Sequence, residues 1–466
     1  MPWMIFSGDV VMKFKLNRIV LLAVLAAALA GCNLVGGDTP GTVVLPPTQA
    51  VGFAFPTAVT PAQTALPATP LTPASTPTFP AVITATPKPT TPSATLPPAV
   101  GATQQTGLKL TNIKMNDLSS GWAVGHILPA TDELILRTSD SGKNWKKITP
   151  PEPALSGKKA VAHFLDASRA WVIYATQPPT SAIPSQFTVW RTIDGGSSWK
   201  SASTNLTGLI GDYFTANQIA FSDANNGWLL AILGNGMNHT YIAVYKTADG
   251  GASWNQIISP DKNNVSMACS KSGVWFRDAN HGYIAGNCYG VVKGLYLYST
   301  ADGGTTWKLV NLPGPAGLAD AYTKDSVACG ADTPHFFDTQ KGSVVVSCSD
   351  MNANKTYRWV YQTQDGGTSW NSAALPRNFG GYTFLNSDTG WYLGQTAADA
   401  TNGVNVYTTS DGGKNWKQVS TTNWGGEMNY IDAKNGWIIA RSGSELALVR
   451  TSDGGLTYQL ITPLVP

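Results

Sequence analysis

From Gly107 to Pro466 the chain is a succession of short runs in which apolar and polar residues alternate, as in Ala243-Val244-Tyr245-Lys246-Thr247. A two-residue period predicts half-buried β-strands. Two motifs punctuate the runs. The first is Thr138-Ser139-Asp140-Ser141-Gly142-Lys143-Asn144-Trp145, with counterparts around Asp194, Asp249, Asp302, Asp365, Asp411 and Asp453. Each copy has Thr two residues before the Asp and Gly two residues after it. Trp follows five residues after the Asp in six copies (Trp145, Trp199, Trp254, Trp307, Trp370, Trp416), and Tyr458 takes its place in the last. The second motif precedes the first: Phe221-Ser222-Asp223-Ala224-Asn225-Asn226-Gly227-Trp228 and Tyr430-Ile431-Asp432-Ala433-Lys434-Asn435-Gly436-Trp437, with weaker versions around Asp117, Asp166, Asp278, Asp338 and Asn386.

Successive Asp residues of the first motif are 54, 55, 53, 63, 46 and 42 residues apart, which is the length of one four-stranded blade with variable loops. The pattern predicts an all-β fold over 107–466: a seven-bladed β-propeller of four-stranded antiparallel blades. In each first-motif turn the carboxylate is expected to accept hydrogen bonds from N–H groups of its own loop. The Gly supplies a backbone conformation costly for other residues. The Trp is expected to bury its ring beside the turn, fixing the outer strands of one blade and touching the next. Seven carboxylates dispersed one per blade suit a structural role better than a catalytic or calcium-binding one.

These turns resemble the Asp-box, or BNR, repeats of sialidases and related propellers. With the Phe-x-Asp-x-x-x-Gly-Trp element added, the 360-residue folded part is most similar to the propeller family of the photosystem II stability and assembly factor. That resemblance implies a non-enzymatic propeller that holds a partner protein during assembly. The chain departs from a charged docking surface in having no cluster of arginines along its repeats.

The leader changes the picture of where the domain works. Lys13, Lys15 and Arg18 precede an uncharged run from Ile19 to Ala30 and then Leu29-Ala30-Gly31-Cys32. This reads as a signal peptide over residues 1–31 ending in a lipobox, with Cys32 as the lipidated residue. Twelve apolar residues are too few to span a bilayer. Residues 32–106, dominated by Pro, Thr and Ala, are expected to form a disordered tether after the lipidated Cys. Fully extended it would reach roughly 200 Å from the membrane. Three of the 31 basic and one of the 28 acidic residues lie in the leader, so the mature chain is left near +1. Such a balance gives no electrostatic case for nucleic acid. The expected location is the extracytoplasmic face of a membrane, periplasmic or at the cell surface.

Cys269 and Cys288 are 19 residues apart, as are Cys329 and Cys348, and each pair is centred on a second-motif turn. Each cysteine would face its mate across the hairpin of a blade's two inner strands, which permits two disulfides in an oxidising compartment. No Cys-x-x-Cys or His-Glu-x-x-His occurs, so no metal site is expected, and nothing calls for a cofactor.

With both motif turns on one face, the irregular loops share the other. There Asp212, Tyr213 and Phe214, the stretch 313–333, the Gly380-Gly381-Tyr382 segment, and Trp424 with Glu427 form the candidate ligand face for a protein partner or a cell-surface glycan. No catalytic residue is assigned. A glycoside hydrolase of sialidase-like or two-carboxylate type is the alternative. Its arginine triad is hard to build, because Arg137, Arg191 and Arg450 each precede an Asp-box Thr on an outer strand. Nor is there a Gly-rich phosphate loop or a Gly-x-Ser-x-Gly elbow.

Overall fold

The computed structural model describes residues 107–152, 158–176, 182–206, 208–237, 239–261, 265–288, 294–396 and 403–466. The leader, Cys32 and the tether to residue 106 lie outside the described residues.

Every regular element among the described residues is a β-strand. Five sheets have four strands and one has nine. Sheet 1 comprises Leu108–Met115, Gly121–Ile127, Leu134–Thr138 and Lys146–Lys147. Sheet 2 comprises Lys158–Phe164, Ala170–Thr176, Gln186–Thr192 and Lys200–Asn205, and sheet 3 Thr215–Phe221, Gly227–Gly236, His239–Thr247 and Asn255–Ile258. The nine-stranded sheet has two halves. Half 4a runs through Ser270–Phe276, Gly282–Asn287, Leu297–Thr300 and Lys308–Leu309. Half 4b runs through Val327–Ala331, His335–Phe336, Gly342–Asp350, Lys355–Thr363 and Asn371–Ala374. The halves are joined through the pair Asn287 and Gly330. Sheet 5 holds Phe379–Phe384, Gly390–Gln395, Val404–Thr409 and Lys417–Thr422, and sheet 6 Gly425–Tyr430, Gly436–Ser442, Glu445–Thr451 and Gln459–Ile461. All pairings between these strands are antiparallel, and strands in each four-stranded sheet neighbour one another in chain order.

Burial follows strand position. The second strand of each sheet is the most apolar: Gly390–Gln395 is buried throughout, as are the first five residues of Gly121–Ile127. A strand buried on both faces has lost the alternation that marks its half-buried neighbours. The outermost strands, such as Lys146–Lys147 and Lys308–Leu309, are exposed.

One aromatic seam recurs between sheets. Trp171 stacks on Phe221 of the next sheet at 3.6 Å, Trp228 on Phe276 at 3.7 Å, and Trp391 on Tyr430 at 3.7 Å. The wider seams pair Trp122 with Phe164 at 5.3 Å and Tyr283 with Phe336 at 5.5 Å. Several of these indoles also donate across the seam: Trp122 Nε1 to the Asp166 carbonyl, Trp171 Nε1 to Gly250, and Trp391 Nε1 to Gly454. Trp122, Trp171 and Trp391 thus join hydrophobic burial to a satisfied N–H, whereas the buried Trp228 Nε1 has no partner among the described residues.

The last sheet closes on the first. Leu110, Ile113, Met115 and Trp145 share a core with Trp437, Ile439 and Leu448. The Met115 N–H donates to Asn429 Oδ1 at 2.8 Å, and the Trp145 N–H to the Leu464 carbonyl at 2.7 Å. Among the described strands the first, Leu108–Met115, is an inner one and the last, Gln459–Ile461, an outer one of its own sheet, and residues beyond Ile461 reach back to sheet 1. First strands are the mutually contacting edges of the ring. Side chains knit them together: Gln218 Oε1 accepts the Val274 N–H at 2.8 Å, and Ser272 Oγ donates to the Ala331 carbonyl at 2.8 Å. A closed ring of up-and-down sheets with their first strands at the axis is a propeller.

Candidate functional site

The motif face holds most of the carboxylates of the described residues. In the first-motif turns, Asp140, Asp194, Asp249, Asp302, Asp365, Asp411 and Asp453 each accept the Oγ1–H of the Thr two residues earlier and the N–H of the residue four later. The second carboxylate oxygen takes a side chain of the same loop, for example Ser369 Oγ at 2.6 Å. A hydrogen bond from Ser198 holds Asp194 down to about 2, and those from Thr306 and Ser369 do the same for Asp302 and Asp365. In the second motif, Asp117, Asp166, Asp223, Asp278, Asp338, Asn386 and Asp432 each accept two backbone N–H groups of their own turn. The two turns are tied together, as in Gly250 N–H to the Asn225 carbonyl at 2.9 Å. These carboxylates are consumed by the loops that carry them.

The motif tryptophans divide the work differently from the expectation. Trp145, Trp307 and Trp370 donate Nε1 to the Gly of their own turn, and Trp254, Trp307, Trp370 and Trp416 meet an aromatic ring of their own sheet edge-on. Trp199 reaches the preceding sheet at the Ile148 carbonyl. The link to the next sheet is made by the second-motif aromatic, as described above.

The cysteine pairs form two disulfides, Cys269–Cys288 and Cys329–Cys348. Cys329 and Cys348 are direct cross-strand partners, and the other pair flanks the end of the hairpin that closes at Ser270 and Asn287.

On the opposite face the expected ligand residues scatter. Asp212 is exposed, and its N–H and that of Tyr213 are anchored on the Leu233 carbonyl. Phe214 stacks on Phe187 of the preceding sheet at 5.4 Å. Trp424 is not on the surface: it is 1% exposed, packed with Leu393, Val404 and Val406 and edge-on to Tyr458 at 5.0 Å. An indole next to two glycines reads as a platform in sequence, but the glycines here let backbones approach. Gly380 and Gly426 have φ of 131° and 147°, and a Cβ at either would meet a carbonyl of the neighbouring strand at 1.8 and 2.1 Å. Tyr382 and Glu427 lie within inner strands and not in loops.

Register places the inner-strand residues in layers along the axis. Lys114, His163, Ala220 and Trp275 pair with Trp122, Trp171, Trp228 and Tyr283. His335, Thr383 and Asn429 pair with Ser343, Trp391 and Trp437, so these residues share one level near the motif face. Two residues further along lie Gln218, Gly381 and Glu427, and Asp332, three residues before His335, reaches that level by donating its N–H to the Val345 carbonyl. Asp332 accepts the Tyr382 hydroxyl at 3.0 Å and lies 3.7 Å from Arg358. Burial, with Asp332 added, raises the Tyr382 phenol well above its usual range. Burial also raises the Glu427 carboxyl, against the pull of Arg441.

A pocket of about 450 Å³ opens on the loop face of half 4a, lined by Tyr296, Tyr298, Leu309, Leu312, Tyr322 and the Cys269–Cys288 disulfide. Tyr296 donates its hydroxyl to the Ser266 carbonyl at 2.6 Å, and Tyr322 shares a hydrogen bond with Tyr361 at 2.8 Å. Tyr298 is half-buried and Leu309 is 53% exposed. Of the three tyrosines only Tyr322 falls in a stretch singled out from sequence. Tyr296 and Tyr298 carry no motif, and the cysteine spacing was the one signal near them. Among the described residues, no group of three or more His, Cys, Asp or Glu side chains is placed to hold a metal ion.

No protein-family model matches the chain, and no curated protein matches it. Among solved structures it is similar to YCF48 from Cyanidioschyzon merolae, at 15% identity and a TM-score of 0.40 over 75% of this chain and 97% of that one. It is similar to a PL25 ulvan lyase, a polysaccharide lyase, at 12% identity and a TM-score of 0.43 over 78% and 96%. It is also similar to the polysaccharide lyase Uly1, at 11% identity and a TM-score of 0.49 over 73% and 89%.

Proposed function

We propose that the chain is an exported lipoprotein, anchored through Cys32, whose tether over residues 32–106 presents a seven-bladed Asp-box propeller that binds a cell-surface glycan or a protein partner in an assembly-factor-like role. Halves 4a and 4b count as separate blades in this reading. The observation that carries it is the tyrosine-lined pocket on the loop face, set against a motif face whose carboxylates are engaged by their own turns. Aromatic walls with a few polar groups in a pocket of about 450 Å³ suit a sugar ring or a short peptide.

The test is a glycan array and an envelope-extract capture, run on wild-type protein and on Tyr298→Ala. The reading requires a specific ligand whose binding falls at least tenfold in the variant while the fold is kept. A ligand that binds both forms equally would place recognition elsewhere.

A second reading rests on one observation: Asp332 and Glu427 occupy the same axial layer, separated by the inner strand that carries Gly381, and their environments differ. One carboxylate held by Tyr382 and Arg358 and one carboxyl raised by burial is the division of labour of a two-carboxylate glycosidase. Fluorogenic glycosides turned over by wild type but not by Glu427→Gln or Asp332→Asn would replace the binding reading with this one.

A further inference from the structure

The pocket beside the Cys269–Cys288 disulfide has a wall whose backbone is gathered by one lysine. Lys271 is 8% exposed, and its Nζ donates to three successive carbonyls: Met267 at 3.2 Å, Ala268 at 2.7 Å and Cys269 at 2.9 Å. An ammonium has three N–H donors, so all of them are used on this run. The same Nζ lies 4.4 Å from the centroid of the Tyr296 ring. Tyr296 in turn donates its hydroxyl to the carbonyl just before the run, that of Ser266. Four consecutive carbonyls are thus held by two side chains. Ser266, Ala268, Cys269 and Tyr296 all line the pocket, whereas Lys271 stands behind them and does not.

Both the charge and the backbone there need support. Burial acts against the ammonium, lowering Lys271 to about 7, and the three carbonyls and the ring face are what the fold sets against that effect. Cys269 has a φ of 67°, in the left-handed region that a β-carbon disfavours. A residue keeps such a conformation only where its surroundings fix it. Here the side chain is tied by the disulfide and the carbonyl by Lys271. The Met267 carbonyl also accepts the Thr240 N–H at 3.0 Å, which joins the wall to sheet 3.

We propose, on the reading that this pocket is the ligand site, that Lys271 is its positioning residue: it holds the 266–269 wall and the Tyr296 ring in the binding geometry before a ligand arrives, and it excludes cations. A wall already ordered removes the entropy loss of ordering it on binding. Three tyrosines around one cavity would otherwise make a cage for a quaternary ammonium. One of these rings already carries an ammonium, and like charges on the same ring repel. The ligand that fits is therefore a sugar ring without a positive charge.

The experiment compares the full-length wild-type protein with Tyr298→Ala and Lys271→Met on a glycan array. A glycan lost from Tyr298→Ala should bind Lys271→Met about tenfold more weakly, with hydrogen exchange accelerated in peptides covering 266–270. On wild type, NMR of lysine ammonium groups should show one slowly exchanging signal, absent from Lys271→Met, that shifts when this glycan is added. A lysine with a purely structural role would not respond to the ligand. Tetramethylammonium chloride, titrated to about 10 mM, should neither compete with the glycan nor move that signal. A glycan lost from Tyr298→Ala but bound by Lys271→Met as by wild type overturns this inference and leaves the pocket reading standing. An ammonium signal that ignores the glycan, or competition by tetramethylammonium, does the same. If no glycan depends on Tyr298, the glycan reading of the pocket falls and this inference with it. If Lys271→Met does not fold, the wild-type ammonium signal decides.

Discussion

Trp437 of the last sheet donates its indole Nε1 to the backbone carbonyl of Ser141 in the first sheet at 2.9 Å, and its ring is fully buried against Leu110, Met115 and Trp145. One side chain thereby joins residues 296 positions apart in sequence. The equivalent position in other sheets, such as Trp171 or Trp391, makes the same kind of bond to its neighbour. The seam that closes the ring is built like the seams within it.

Ring closure is therefore cooperative. Trp437→Ala should cost about 3–5 kcal/mol, as for a large buried aromatic. Removing residues 462–466 should expose the Trp145 amide, whose acceptor is the Leu464 carbonyl. Native-state hydrogen exchange reads both effects, and protection should fall in sheets 1 and 6 together. Loss confined to one of them would show that the shared core does not couple the ends.

The disulfides lie in the two halves of the nine-stranded sheet, where Cys329 and Cys348 are 2% and 1% exposed. Replacing that pair by Ala should lower stability by roughly 3 kcal/mol, the value for a closed loop of this length. Denaturant melts with and without reductant measure it. A pair of melts that coincide would mean the unfolded chain is not constrained by the bond.

Acid should unfold the propeller over a defined range. Asp194, Asp302 and Asp365 sit near 2 in the folded protein against an ordinary 3.8, so each carboxylate stabilises the fold above about pH 4. That contribution is lost as pH falls through the folded value near 2. The melting temperature should be flat between about pH 7 and 5 and fall below about pH 4. In Asp365→Asn the acid-dependent part should shrink, with the loss already present at neutral pH. An unchanged acid limb would show that the turns do not depend on their carboxylates.

The repeat register was legible because its causes are local. A Thr, an Asp and a Gly at fixed offsets make a self-satisfied turn, and the strands between them alternate, so sheet boundaries and cysteine partners follow. The glycine-flanked aromatics were misread for a related reason. Gly425 and Gly426 look like a loop in sequence, yet they let two inner strands approach and leave Trp424 in the core. The Asp332, Tyr382 and Arg358 contact joins half 4b to sheet 5 through residues with no common motif. The Tyr296 and Tyr298 walls of the pocket likewise become neighbours of Tyr322 only when the strands are in register. Sites assembled from several repeats leave no spacing to read.

The measurement that bears most directly on the account is ligand binding by three proteins on one glycan array: wild type, the loop-face variant Tyr298→Ala with Leu309→Ser, and the motif-face variant Ser197→Ala. A ligand should be lost from the loop-face variant and kept by the motif-face variant. Binding lost only from the motif-face variant would return function to the first-motif turns and contradict their architectural role.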